Sequence, residues 1–167
     1  MALIEGDSLF IRLRIYRRAH QKFYSAERRL GMYLEEAHDN DGRLLWVGSV
    51  EPYNHEYFND KGIVNLILVN PATLHAIAGH IVATGDHYNP GRNSPAAGFN
   101  PVPPLSQLPN ATWIALDEVE DIPRFDVADY VTVTPPDSYT PPLPLPEAID
   151  RSSRQVKALW IRPREQA

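Results

Sequence analysis

An α+β domain is expected for this chain, and three observations carry the expectation. Residues 8–18 (SLFIRLRIYRR) alternate apolar with basic, the mark of a strand. Residues 62–69 (GIVNLILV) form the most apolar run and lead into Asn70-Pro71, a favourable helix start. Sixteen prolines among 167 residues gather mainly over 85–110 and 135–146, where regular elements are excluded. The expected architecture is a mainly antiparallel sheet of about five strands with one or two helices, a long proline-rich loop and an extended C-terminal arm. One α+β domain over 1–134, with the proline-rich loop at 85–110, is followed by the arm over 135–167. The hydrophobic fraction of 43% and charged fraction of 22% are those of a folded body.

Taken in order, the first strand directs Ile11, Leu13 and Ile15 to one side. Arg12, Arg14, Tyr16 and Arg18 stand on the other, a basic face that also discourages stray edge pairing. Residues 25–37 admit two readings. Ser25 can cap a helix with Leu30, Tyr33, Leu34 and Ala37 on one face, which Gly31 weakens. Alternatively, a strand over 29–36 feeds a turn at Asp41-Gly42 and returns over 43–51. The hairpin is favoured.

Residues 53–60 read as an aromatic, polar loop. After the central strand at 62–69, a helix is expected over about 71–83, burying Leu74, Ile77, Ala78, Ile81 and Val82. The stretch 85–110 holds six prolines and is expected to be irregular. Short strands are expected at 112–116 and 128–134, with an acidic segment broken by Pro123 between them. From Pro135 the chain should run as extended polyproline II. Residues 156–161, with Trp160, read as a closing strand or a plug.

The net charge of -5 is unevenly distributed. Residues 1–30 carry seven basic against three acidic side chains, and residues 147–167 carry five against three. The middle carries four against fifteen, so ends of +6 enclose a body of -11. Such ends either neutralise their own body, reach acidic surfaces on neighbouring subunits or hold phosphates. Nucleic-acid binding is the least favoured, because the whole chain is acidic.

The absence of cysteine excludes disulfides, thiolate catalysis and cysteine-held metals. Phosphate-binding glycine loops, the G-x-S-x-G elbow and H-E-x-x-H are missing from the sequence, and so are internal repeats. His75 and His80, five apart, would lie about 140° apart on a helix. With Asp86 and His87 they make a weak metal or hydrolase alternative, centred on His80, Asp86 and His87. The carboxylates Asp117, Glu118, Glu120 and Asp121 read as a solvated face. Arg92, Asn93 and Ser94 form a polar loop tip with weak anion-binding character. The run PPLPLP at 141–146 has a weak likeness to a peptide-groove ligand but lacks a basic flank.

The opening MALIEGD is acidic, unlike a secretory leader, so a cytoplasmic setting, or a virion, is expected. The longest apolar runs are too short to span a bilayer. Together these features lead to a non-enzymatic structural or assembly subunit with no cofactor. It would bind copies of itself or other protein subunits, and no membrane, through Arg12, Arg14, Tyr16, Arg18, Arg92, Trp160 and Arg162. A nucleic-acid module built on the basic strand is a further alternative.

Overall fold

The computed structural model describes residues 4–14, 16–17, 23–54, 57–58, 62–134, 141–152 and 158–166. They form the expected α+β fold, with two helices and a mixed seven-stranded sheet in place of a mainly antiparallel sheet of about five strands. The elements run β1 (Asp7–Arg12), the two-residue strands β2 (Tyr16–Arg17) and β3 (Phe23–Tyr24), α1 (Ala26–Asp39), β4 (Leu44–Gly48) and β5 (Ile63–Val69). Then follow β6 (Ala76–Gly85), β7 (Thr112–Ile122), β8 (Tyr130–Thr132), α2 (Leu145–Ser152) and β9 (Ala158–Pro163). The sheet order is β4-β7-β6-β5-β1-β9-β8; β1 and β5 are parallel and every other pair antiparallel. β2 and β3 pair separately.

Leu9, Ile11 and Leu13 pack in one core cluster, as the expected apolar side of the first strand does, but Ser8 and Phe10 on the other side are buried as well, so β1 is not half-buried. Its position is not the expected one. β1 stops at Arg12 and lies inside the sheet between β5 and β9, so Phe10 on the opposite side is buried too. An edge-guarding basic face is therefore not built on it.

The segment after β3 is a helix, not the first arm of a hairpin. Ser25 is its N-cap, with Oγ accepting from the Arg28 N–H at 3.2 Å. Leu30, Tyr33 and Ala37 recur at helical spacing and are buried. Gly31 sits on the exposed side, where its lack of a side chain loses no packing. The Asp-Gly pair that suggests a hairpin turn instead ends α1. Asp41 and Gly42 take positive φ values of 54° and 79°, and the Gly42 N–H reaches the Ala37 carbonyl at 2.7 Å.

The expected helix at 71–83 is a strand. Asn70 does begin a turn: its Oδ1 accepts from the Ala72 N–H at 3.0 Å, and its carbonyl accepts from the Leu74 N–H at 2.8 Å. The turn closes there, with Leu74 at φ 64°, and the chain returns as β6 against β5. In the following residues (AIAGHIVATG), β-branched Ile77, Ile81, Val82 and Thr84 suit a strand, while the three alanines suit a helix, so local propensity does not decide between them. Gly79 permits close packing: a Cβ there would stand 3.0 Å from Leu116 Cβ and Val119 Cγ2.

β7 continues to Ile122 through the acidic run, helped by irregular register opposite β6 and by Glu118 at φ 51°. The C-terminal segment is not an outward arm. Residues 135–140 lie outside the described residues, but 145–152 form α2, which buries Leu145 and Ala148. β9 enters the sheet between β1 and β8.

Helix α1 contributes to a core cluster with Leu9, Trp46, Leu66 and Ile114. A second cluster joins Phe10, Phe125 and Tyr130 to Leu145 of α2. A third joins Leu45 and Ala115 to Tyr88 of the proline-rich loop. Both proline-rich segments also close sheet edges. The Leu45 N–H of β4 donates to the Asn100 carbonyl at 3.0 Å, and the Thr132 N–H of β8 donates to Leu143 at 2.8 Å. No described helix is long and apolar enough to cross a membrane.

Candidate functional site: an acidic groove beside an open strand edge

The described interaction residues expected from sequence stand on different elements. Arg12 ends β1 half-buried, and burial, with a contribution from Arg14, lowers its pKa. Arg14 is exposed beyond the strand, and its carbonyl accepts from Arg29 Nη1 at 3.0 Å. Tyr16 is described only through its backbone pairing with Tyr24, and Arg18 lies outside the described residues. Arg92 is exposed on the proline-rich loop.

Trp160 and Arg162 both serve the chain's own fold. Trp160 Nε1 donates to Asp7 Oδ2 at 2.9 Å. Arg162 Nε donates to Asp7 Oδ1 at 2.9 Å and its Nη2 to Oδ2 at 2.8 Å. The hydrogen bonds to Asp7 raise the Arg162 pKa against the effect of burial. Tyr53 and Tyr57 pack edge-on against the Trp160 ring.

The histidine alternative is not assembled. His80 is exposed and bonds Asp117 across β6 and β7 at 3.2 Å. Asp86, beyond the far end of β6, accepts from Thr112 Oγ1 at 2.9 Å, and His87 is exposed. Among the described residues no group of three or more metal-binding side chains occurs.

His75 has a role that the sequence does not disclose. Its Nδ1 meets Glu27 Oε2 and its Nε2 meets Asp121 Oδ1, each at 2.5 Å. With a carboxylate at both nitrogens, the imidazole is held as a double donor. Burial opposes its charge, but hydrogen bonds to Asp121 and Glu27 outweigh it, so the His75 pKa is raised. Asn70 Nδ2 also approaches Glu27 Oε1 at 3.3 Å. This bridge ties α1, the turn before β6 and β7 together. Its partners are 48 and 46 residues away, so no local signal announces it.

Beside Asp121 lies a groove of about 440 Å³, lined by Leu34, Ala37, His38, Gly42, Val119 and Asp121. Its floor is largely apolar because Leu34 and Ala37 face inward from α1. β4 pairs with β7 only from Thr112 to Leu116. Beyond that point the outer side of β7 has one described backbone partner, the Gly42 carbonyl, which accepts the Val119 N–H at 3.0 Å. Glu118, Glu120 and Asp121 are exposed along this stretch. The groove therefore combines apolar surface from Leu34, Ala37 and Val119 with the carboxylate of Asp121.

Comparisons with protein-family models, curated proteins and solved structures found no match to this chain.

Proposed function

We propose that this protein is a non-enzymatic assembly subunit that works by binding other chains of a larger complex, a viral or phage particle being one such setting. The observation that carries the reading is the number of exposed carboxylates along α1, the turn after it and the second half of β7. Glu35 and Asp39 stand on α1, Asp41 follows it, and Glu118, Glu120 and Asp121 stand on the second half of β7. A field of one sign steers association and selects partners of the opposite sign. β1 and β9 are interior strands, so their own edges are already paired.

The test is purification of the full chain with its native partners at about 0.05 M and about 0.5 M salt, with mass measured by light scattering. Stoichiometric partner chains held at low salt and released at high salt are expected. A monomer without stoichiometric partners at both salt concentrations overturns the reading.

A further inference from the structure

We infer that His75 is a proton-operated latch: its imidazolium ties the start of α1 to the sheet, and loss of one ring proton frees the α1 side while the β7 side holds. The latch does not depend on the assembly reading. Its basis is geometric. Nδ1 meets Glu27 Oε2 on the first turn of α1, and Nε2 meets Asp121 Oδ1 on β7, each at 2.5 Å. A charged imidazole donates from both nitrogens, whereas a neutral one donates from one and accepts at the other. Carboxylates only accept, so deprotonation breaks one of the two bonds and sets a ring lone pair against a carboxylate oxygen.

The surroundings choose which bond is lost. Glu27 has a second donor, Asn70 Nδ2, at 3.3 Å from Oε1. Among the described residues, His75 is the only hydrogen-bond donor to the Asp121 side chain. Asp121 therefore competes better for the remaining proton, which stays on Nε2, and the Nδ1–Glu27 bond is given up. The Glu27 side chain is 51% exposed, so its freed carboxylate turns to water. Burial opposes the charge on His75, while Asp121 from β7 and Glu27 from α1 support it; among the described residues these are the charged groups that act on it. His38 is the other titratable residue lining the groove that Asp121 borders. The latch is closed at low pH and opens as pH rises through the raised folded-state pKa. Release is confined to the first turn, because Leu30, Tyr33 and Ala37 stay buried. In that turn the Arg29 N–H donates to the Ser25 carbonyl at 2.9 Å, while the Gly42 N–H, donating to Ala37 at 2.7 Å, marks the far end of α1.

The test follows the ring nitrogens of the ¹⁵N-labelled full chain by NMR from about pH 5 to about pH 10. Amide hydrogen exchange is then compared below and above the ring's midpoint, corrected for its intrinsic pH dependence. Two ring protons are expected at the acid end, a midpoint above 6.5, and a proton on Nε2 alone beyond it. Exchange at Arg29 is expected to quicken about fivefold above the midpoint, the scale of a half-exposed ion pair, while Gly42 stays constant. In Asp121→Asn the neutral ring is expected to carry its proton on Nδ1, facing the remaining carboxylate, and Arg29 to lose its response. His75→Gln is expected to abolish the response and His38→Gln to leave it intact. A neutral wild-type ring protonated on Nδ1 overturns the release of α1. A midpoint at or below 6.5, or no titration by about pH 10, overturns the latch. So does Arg29 exchange that ignores the ring's titration, or a response that survives His75→Gln or Asp121→Asn or vanishes in His38→Gln.

Discussion

His75 shows how much one side chain can organise here. Held between Glu27 and Asp121, its imidazole is favoured in the charged form, and its pKa is raised above 6.5. A group with a higher pKa in the folded state binds protons more tightly there than in the unfolded state. The stabilisation is thus fully present below pH 6.5 and fades as pH rises through the folded pKa. Both carboxylates are about half exposed, which limits the contribution to roughly 1 kcal/mol. Urea unfolding of His75→Ala is expected to show that loss at about pH 5.5 and a much smaller one at about pH 9. A loss independent of pH would assign His75 to packing alone. Asp7 is a second such residue, with only 15% of its side chain exposed and three donated hydrogen bonds from Trp160 and Arg162. Replacement by alanine leaves the indole N–H and the guanidinium without this acceptor. Asp7→Ala is expected to lower stability by about 2 kcal/mol in denaturant titration.

At the scale of elements, β6 decides the character of the sheet. It bridges β5 and β7, and the missing side chain at Gly79 relieves a close approach to Leu116 and Val119 of β7. Gly79→Val would drive methyl groups into Leu116 and Val119, and a loss of about 1–3 kcal/mol is expected in the same titration. The sequence-based helix at 71–83 failed for an instructive reason. Asn70 and Pro71 favour a turn locally, and Asn70 makes the bonds of one. Continuing as a helix would have left β5 and β7 without their shared partner. Helix α1 failed in the opposite direction, since Asp41-Gly42 serves helix ends and hairpins alike, and local sequence does not say which.

For the whole molecule, the C-terminal residues complete the fold. β9 pairs with β1 and β8, and Trp160, Ile161 and Leu145 of the C-terminal region are buried. Large side chains stabilise by roughly 1.5–3 kcal/mol each when buried. Three of them account for much of the roughly 5–15 kcal/mol that holds a domain folded. Removing 135–167 is therefore expected to abolish cooperative thermal unfolding, followed by circular dichroism. A truncated chain that melts with the full chain's cooperativity would restore the separate-arm view.

The sequence alone determined what depends on composition and on neighbours along the chain. The α+β class, the absence of thiol chemistry, the strand state of β1 and the apolar run of β5 follow from residues within reach of one another. So does the acidic middle, whose carboxylates are largely exposed along α1 and β7. The tertiary structure alone decided the interior places of β1 and β9, the strand state of β6, the His75 bridge and the groove beside β7. Each of these depends on partners far apart in sequence: β1 meets β9 after some 150 residues, as Trp160 and Asp7 do. Local propensities differ by only about 1 kcal/mol per residue. Pairing and burial across the sheet exceed that margin, and they exist only once the chain has folded.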